Sequence, residues 1–206
     1  MQNFAMDLNR MAFFEGLAEQ WDVVGTPPSP AKVAAFLEKV GLESGDRVLD
    51  LGTGTGLMIP YIFGWDPATV WAVDLSPKML AKVREKYGTV YGDRLRLLQA
   101  DVHQLPLEDG SLDKAICNGT FPHFHDKALA LAQLHRVLSP GGTLAIHHFI
   151  GRNRLNAIHA QSANEWIRQD QLEPVTKLAA LAGAAGFAVQ MSIDSETEYG
   201  LIAVKP

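Results

Sequence analysis

The sequence predicts an α/β fold: a doubly wound sheet of about seven strands with helices on both faces. From Asp46 onward, short strand-like apolar runs alternate with segments of helical apolar spacing. Such alternation indicates parallel strands, because parallel neighbours need crossover connections. Near the end, two strand-like runs at 189–193 and 199–204 lie so close together that only a hairpin can join them. The sheet is therefore expected to end with an antiparallel strand.

Composition limits the kind of protein this can be. The chain has 206 residues, of which 47% are hydrophobic and 20% charged, and we expect a single domain, 1–206. A net charge of -5 disfavours a nucleic-acid partner, since phosphate binding needs clustered basic residues. Cys117 is the only cysteine, which excludes an intrachain disulfide and favours a reducing compartment. Residues 1–10 carry no signal-like apolar run, and no stretch is long enough for a membrane span, so we expect a soluble, cytoplasmic monomer or homodimer.

Two helices are predicted before the first strand. Apolar residues at positions 13, 14, 17, 18 and 21 share one helical face. The segment 25–30 contains three prolines and predicts a break, after which Ser29 caps a helix with Pro30 in its first turn. Residues 1–28 are thus expected to form a helical lid segment and 29–206 the core, with an insert at about 150–173.

The remaining elements follow in order. Helices are predicted from Ser76–Pro77 onward, over 126–138 and over 175–185, each with apolar residues on one side. A Ser-Pro-Gly-Gly run at 139–142 is expected to stop the second of these. The first five strands are predicted over 47–51, 69–74, 95–100, 112–117 and 143–149.

A glycine-rich turn, Asp50–Gly56, lies directly between a predicted strand and a helix. Glycine there lets the backbone approach a ligand where a Cβ would collide. A dinucleotide fingerprint needs glycine at the first, third and sixth positions of the turn, but the sixth position counted from Gly52 is Leu57. The spacing therefore disfavours pyrophosphate, and the P-loop pattern is absent as well.

Asp74 closes the second predicted strand, 18 residues after Gly56. A carboxylate at this position can accept hydrogen bonds from both hydroxyls of a ribose. It could alternatively be only a helix-flanking carboxylate beside the cap at Ser76. Its agreement with the glycine turn favours ribose binding.

Five segments together resemble the motifs of class I S-adenosylmethionine-dependent methyltransferases, in the right order and at the right spacing. They cover residues from about 45 to 150, and the overall pattern is similar to the small-molecule branch that includes the ubiquinone and menaquinone methyltransferases. The resemblance implies a Rossmann-like sheet of order 3-2-1-4-5-7-6 with strand 7 antiparallel. It also implies S-adenosyl-L-methionine as cofactor, S-adenosylhomocysteine as product and a small-molecule methyl acceptor. The five segments are 48–56, 72–80, 100–107, 118–124 and 136–142.

Carried over by position, the resemblance implies a role for each cofactor-binding residue. The turn glycines are expected under the methionine part with the carboxylate before them near its ammonium group, and Asn118 beside the sulfonium. Asp74 is expected on the ribose. Leu75 and Met79 would flank the adenine, while Asp101 accepts from its amine and Val102 offers a backbone N–H. The full cofactor-binding set is Asp50, Gly52, Gly54, Gly56, Asp74, Leu75, Met79, Asp101, Val102 and Asn118.

Histidine is the candidate general base if the acceptor must lose a proton. His123, His148 and His159 are the predicted catalytic candidates; His125 and His147 map to the same edge of the sheet. His147 and His148 are adjacent on a strand, so only one of them can face the cleft. His103 and His135 are expected at solvated or helix-packing positions. No spacing singles out a metal site, and none is predicted, although a metal site remains an alternative for the histidine cluster.

Two further alternatives stay open. The aromatic residues Phe13, Phe14 and Trp21 could form a lid over the cofactor or simply pack a helix on the sheet. The function could be cofactor binding without methylation, or a metal-dependent reaction at the histidine cluster, in place of methyl transfer.

Overall fold

A computed structural model describes residues 7–24 and 27–206 of the chain. Two predictions fall partly outside the described residues. The absence of a signal-like run involves residues 1–6, and the predicted break involves residues 25 and 26. The helices are α1 (Leu8–Leu17), α2 (Pro30–Val40), α3 (Ile59–Phe63), α4 (Pro77–Tyr91), α5 (Lys127–Val137), α6 (Arg152–Ala160), α7 (Glu165–Gln169) and α8 (Val175–Ala184). The strands are β1 (Arg47–Leu51), β2 (Thr69–Asp74), β3 (Leu95–Gln99), β4 (Leu112–Asn118), β5 (Leu138–His148), β6 (Ala188–Asp194) and β7 (Tyr199–Val204).

The seven strands form one sheet in the order β3-β2-β1-β4-β5-β7-β6, which confirms the predicted order. The pairs within β3, β2, β1, β4 and β5 are parallel. Strand β7 runs antiparallel to both β5 and β6, as the short connection after β6 requires. The carboxyl ends of the five parallel strands therefore meet at one edge of the sheet, where ligands bind in open α/β folds.

Strand residues alternate between two apolar layers. In β1, Val48 packs with α2, α3 and α4, while Leu49 packs with α5 and α8 on the other face. In β4, Ile116 joins the first layer and Cys117 the second. This two-residue period buries both faces of the sheet and explains why the central strands are nearly continuously apolar.

Local sequence signals set the ends of α2 and the start of α4. Helix α2 begins with Ser29, whose hydroxyl accepts from the Lys32 N–H, and ends at Gly41 with a φ of 70°. Helix α4 has the same arrangement at its start, where the Ser76 hydroxyl accepts from the Met79 N–H ahead of Pro77. These caps hold the first turn of α4 directly after β2.

Two element boundaries and the arrangement of one strand differ from the predictions. Strand β5 begins at Leu138, not Thr143, because Leu138 pairs with Leu112 and the backbones of Gly141 and Gly142 hydrogen-bond to Lys205. Helix α1 ends at Leu17, and Trp21 lies in a separate 3₁₀ turn, Trp21–Val23. In β6, the predicted alternation of Val189 and Met191 is interrupted by a register shift between them, because they pair with the adjacent residues Ala203 and Ile202 of β7, and both are exposed since β6 is the edge strand. Among residues 7–24 and 27–206, no helix is both long and apolar enough for a membrane span.

Candidate functional site

A cavity of about 240 Å³ opens at the carboxyl edge of the sheet, beyond the ends of β1, β2, β3 and β4. Helix α1 and the 3₁₀ turn after it cover one side. Nine of the ten predicted cofactor-binding residues line this cavity; Gly56 does not. The cavity is also lined by Asp7, Arg10, Phe14, Trp21, His103, His123, Phe124 and His125.

Backbone conformation and close neighbours explain why glycine occupies three positions of the turn. Gly52 and Gly54 have φ values of 67° and 55°, which side-chain-bearing residues rarely adopt. A Cβ on Gly52 would lie 2.5 Å from the Thr120 Cβ, and one on Gly54 would lie 3.3 Å from the Trp21 Nε1. A Cβ on Gly56 would instead lie 2.8 Å from a ring carbon of Tyr87. Gly56 therefore serves the packing of the turn on α4, and we give it no contact with a ligand.

Asp50 is a buried carboxylate at the base of the cavity. It is 1% exposed, and its Oδ2 accepts from the Thr53 hydroxyl at 2.6 Å. Burial, and to a smaller extent the charge of Asp74, raise the pKa of Asp50 to about 7. Such a group is costly to leave ionised without a cation beside it.

Asp74 organises the turn from the end of β2. Its Oδ2 accepts from the Gly54 N–H at 2.8 Å and its Oδ1 from the Ser76 N–H at 2.9 Å. Burial raises the pKa of Asp74, and the backbone donors oppose that rise. A carboxylate has about four lone-pair positions, so two remain for ligand hydroxyls.

For His103 the sequence left a solvated and a helix-packing position open, and the structure places it against the start of α5. It is buried, not solvated, and it lines the cavity. Its Nδ1 contacts Asp101 Oδ1, and its Nε2 accepts from the Asp126 N–H at 3.2 Å. Because Nε2 accepts, Nδ1 carries the proton and donates to Asp101. The imidazole thus fixes one oxygen of Asp101, and the other remains for a ligand amine.

Asn118 ends β4 with a polar atom that has no partner. Its Oδ1 is buried and makes no hydrogen bond within the part of the chain that the structure describes. An unsatisfied buried amide oxygen costs free energy, so an atom of this kind in a cavity wall indicates a ligand donor. Leu75, Met79 and Val102 supply apolar wall on the side of β2 and β3.

His123 is held by a buried ion-pair network. Its Nδ1 lies 2.8 Å from Asp170 Oδ2, and Asp170 also accepts from Arg10 Nε at 2.9 Å. Arg10 contacts Asp7 as well. Burial lowers the pKa of His123, although the neighbouring Asp170 carboxylate acts in the opposite direction. A neutral imidazole at the cavity wall is suited to accept a proton.

Of the other candidate histidines, His125 alone is among the described residues that line the cavity. His159 Nδ1 contacts the Asp170 carbonyl, and its ring centroid is 5.2 Å from that of His123. His148 is 2% exposed, and burial lowers its pKa to about 3. Neither lines the cavity, whereas His125 does and stacks on His103. His147 faces the opposite side of the sheet and stacks on Phe36 at 4.3 Å, as the strand alternation requires.

Arg10 and Asp170 were missed in the sequence. They are 160 positions apart, and both are charged residues of a type that is rarely buried unless paired, so neither position shows a local pattern that predicts burial. His135, by contrast, takes the expected helix-packing position, edge-on to Phe187 at 5.0 Å.

The aromatic residues of the N-terminal segment do reach the cavity. Phe14 and Trp21 line it, and the Phe14 ring lies 4.9 Å from that of His123. Phe13 packs edge-on against Phe14 and does not line the cavity. Among the residues placed by the structure, no three His, Cys, Asp or Glu side chains are grouped as metal ligands.

Comparisons with known proteins agree with this geometry. Residues 49–146 match the family model described as a methyltransferase domain. The demethylmenaquinone methyltransferase of Thermus thermophilus is 40% identical over 104 residues, which is 50% of this chain and 47% of that protein. A ubiquinone/menaquinone biosynthesis C-methyltransferase of Geobacter sp. (strain M21) is 34% identical over 116 residues, 55% of this chain and 49% of that protein. The chain thus spans about half the length of these curated relatives.

A solved structure extends the likeness to nearly the whole fold. The S-adenosylmethionine-dependent methyltransferase of Aquifex aeolicus superposes with a TM-score of 0.71, covering 93% of this chain and 98% of that one at 21% identity. The likeness at this identity concerns the fold, and the sheet order is the one that the motifs implied. Residues 49–146 therefore match a methyltransferase domain, and the chain resembles the class I S-adenosylmethionine-dependent methyltransferases, in particular the ubiquinone and menaquinone methyltransferases.

Proposed function

We propose that this protein transfers the methyl group of S-adenosylmethionine to a small-molecule acceptor and releases S-adenosylhomocysteine. One observation carries the proposal: the glycine turn, Asp74, Asp101 and the unpartnered Asn118 line the same cavity as His123. A cofactor held by the first group would share this space with a proton acceptor.

The charges around the cavity fit a cationic cofactor. Asp7, Asp50, Asp74 and Asp101 line it, and among the described lining residues Arg10 is the sole Lys or Arg. Arg10 is already paired with two carboxylates. S-adenosylmethionine brings a sulfonium and an ammonium, which would offset the cost of the buried Asp50 carboxylate.

Each side chain then has a binding role. Asp50 would face the ammonium group and Asp74 the ribose hydroxyls, while Asn118 Oδ1 would accept from the methionine part. Asp101 would accept from the adenine amine with the oxygen that His103 leaves open. Leu75, Met79 and Val102 would enclose the adenine ring.

The chemistry asks little more than alignment and one base. The acceptor atom attacks the methyl carbon, the C–S bond breaks with its electron pair on sulfur, and the acceptor proton passes to His123. Holding the two reactants in near-attack geometry supplies most of the rate, and a positioned base adds to it. Of the three catalytic candidates, His123 is kept as the base, because His148 and His159 do not line the cavity.

The acceptor is proposed to be uncharged and aromatic. Phe14, Trp21 and Phe124 line the cavity, and its excess of carboxylates would repel an anion. The quinone-pathway names of the two curated relatives agree with an acceptor of phenol or quinol type. A nucleic-acid acceptor is disfavoured by the net charge of -5. Cytoplasmic location, the oligomeric state and the single domain 1–206 stay predictions.

The test has two steps. Isothermal titration with S-adenosylhomocysteine should show saturable one-to-one binding, and NADH should show none. The protein is then incubated with S-adenosyl-[methyl-³H]methionine and a panel of neutral phenols and hydroquinones, with His123→Gln as the matched control. Binding without label transfer to any acceptor would favour the non-methylating alternative, and activity lost on chelation would favour the metal-dependent one.

A further inference from the structure

We infer that Asp170 is a positioning residue for His123: it fixes the imidazole in the form protonated on Nδ1 and leaves Nε2 as the proton acceptor. This inference rests on the proposed role of His123 as the base. It assigns a function to a buried carboxylate that lies outside the methyltransferase motifs and outside the cavity lining.

The hydrogen bond determines the tautomer. Asp170 Oδ2 lies 2.8 Å from His123 Nδ1, and an ionised carboxylate can only accept. Nδ1 must therefore carry a proton, and in the neutral ring the lone pair is then on Nε2. The same relation between a carboxylate, an imidazole and a substrate proton occurs wherever a histidine base needs a fixed tautomer and orientation.

Two neighbours fix Asp170, one through its carboxylate and the other through its backbone carbonyl. Arg10 of α1 donates from Nε at 2.9 Å to the same Oδ2, and its terminal nitrogen contacts Oδ1. On the other side, His159 of α6 contacts the backbone carbonyl of Asp170. Asp170 is 3% exposed, so its rotamer is set by these partners and not by water. Helix α1 is thus linked to His123 through Asp170 as well as through the direct contact of Phe14.

Charged groups from every packed element act on His123. Asp170 favours the protonated ring, whereas Arg10 from α1, His159 from α6 and His148 from β5 disfavour added positive charge near it. Burial also lowers the pKa of His123. Asp170 and Arg10 therefore act in opposite directions on the same imidazole, which provides a signed test.

The experiment is an NMR titration of the full chain labelled with ¹⁵N-histidine, without cofactor or acceptor. His123 is assigned by its loss in His123→Gln. In the wild type, the neutral ring should give the nitrogen shifts of the Nδ1-protonated tautomer. Asp170→Asn should lower the pKa of His123, because a favourable charge is lost, and Arg10→Met should raise it, because an unfavourable one is lost.

These opposite signs separate positioning from structural damage. Partial unfolding would move the pKa of His123 towards about 6.5, its unperturbed value, in both variants. Asp194→Asn and Arg152→Met are the matched controls, since they break a similar carboxylate–arginine pair between β6 and α6 and should leave His123 unchanged.

Two results would overturn the inference. The first is a wild-type His123 whose neutral form is protonated on Nε2, which is measured even if Asp170→Asn fails to fold. The second is a folded Asp170→Asn protein in which the pKa of His123 rises or stays constant. Titration with S-adenosylhomocysteine on the same samples tests the proposed function separately, because the NMR result needs no ligand.

Discussion

Asp50 combines an unfavourable position with a functional reason for it. The carboxylate is buried at the end of β1, and burial raises its pKa to about 7. A group whose pKa is raised by folding stabilises the fold while protonated, and this contribution is lost as the pH rises from about 4 to about 7. The free-energy cost of ionising this buried carboxylate is offset if a cation binds beside it, and the cofactor's ammonium group is such a cation.

We expect the affinity for S-adenosylhomocysteine to fall as the pH drops below about 7, by up to about tenfold per pH unit, because the ammonium group prefers ionised Asp50. Titration at pH 7 in buffers of different ionisation enthalpy should show net proton release. Asp50→Asn can still accept from Thr53, so we expect it to fold and to lose this pH dependence along with most of the affinity. At pH 8 without ligand, this variant should be more stable than the wild type, on the order of 1–4 kcal/mol. An unchanged pH profile in Asp50→Asn would contradict the assignment.

Gly54 allows a test that separates backbone strain from ligand exclusion. We expect Gly54→Ala to lose measurable S-adenosylhomocysteine binding, because the Cβ would point into the cavity wall near Trp21. Gly45→Ala is the control: its φ of 88° carries similar strain, about 1–2 kcal/mol, but its surroundings are open. Titration together with thermal unfolding of both variants decides. Equal binding by the two would mean that Gly54 is needed only for the turn.

The sequence predicted the cavity residues unequally. Asp50 and Asp74 lie at the carboxyl ends of β1 and β2, and Asp101 comes shortly after β3, so local order alone places them at one edge of the sheet. For His103 the sequence could not decide between a solvated and a helix-packing position, because its burial depends on the Asp126 N–H, 23 residues away. The pairing of Arg10 with Asp170 depends on how α1 docks beside α7, and no local pattern specifies such docking.

Among the elements, central strands were predicted with nearly correct bounds, because their apolar runs end at glycine, proline or aspartate. The start of β5 was missed since the Ser-Pro-Gly-Gly run that stops α5 also continues into the sheet through backbone pairing with Lys205. The exposure of β6 follows from its edge position, which depends on the order of all seven strands. The local sequence thus predicted whether an element is a helix or a strand, but it did not predict whether that element is buried or exposed.

The N-terminal segment that we propose as a lid, formed by α1 and the 3₁₀ turn Trp21–Val23, is tied to the glycine turn by Lys86. The Nζ of Lys86 pairs with Asp22 and donates to the Thr55 carbonyl at 3.1 Å. Thr55 also donates its hydroxyl to Asp22. Together with the buried Arg10–Asp170 pair, these contacts hold the segment over the cavity.

We expect Lys86→Met to speed amide exchange across residues 8–17 and to weaken S-adenosylhomocysteine binding by about two- to fivefold, since partly exposed pairs contribute up to about 1 kcal/mol. Arg94→Met is the control, because it breaks the Arg94–Asp66 surface pair, which does not involve the lid. Hydrogen exchange with mass spectrometry measures the first effect and calorimetry the second. Equal exchange in the two variants would argue against a lid that Lys86 holds.

The order of the strands and the charges of the cavity residues together determine which class of ligand the molecule favours. The sheet order brings the ends of four parallel strands to one edge, and three of these ends carry a cavity-lining aspartate. The resulting cavity is acidic within a chain of net charge -5, which favours a cationic cofactor over a dinucleotide with its two phosphates. The same preference appears independently in the glycine spacing, where the sixth position is Leu57.

Global stability should report this preference. A ligand at 100 times its dissociation constant stabilises the folded state by about 2.7 kcal/mol, so S-adenosylhomocysteine should raise the unfolding midpoint by roughly 5–10 °C. NADH at the same concentration should not raise it. In Asp74→Asn one amide oxygen remains for the Gly54 or Ser76 N–H, but the charge-assisted ribose contact is lost, at a cost of about 1.5–3 kcal/mol. The shift in this variant should therefore fall below about half of the wild-type value. Asp66→Asn, at an exposed carboxylate far from the cavity, should keep the full shift. Differential scanning fluorimetry of the wild type, Asp74→Asn and Asp66→Asn measures these shifts of the unfolding midpoint. A full shift in Asp74→Asn, or a shift of the wild type with NADH, would show that the cavity is not built around the ribose of S-adenosylmethionine.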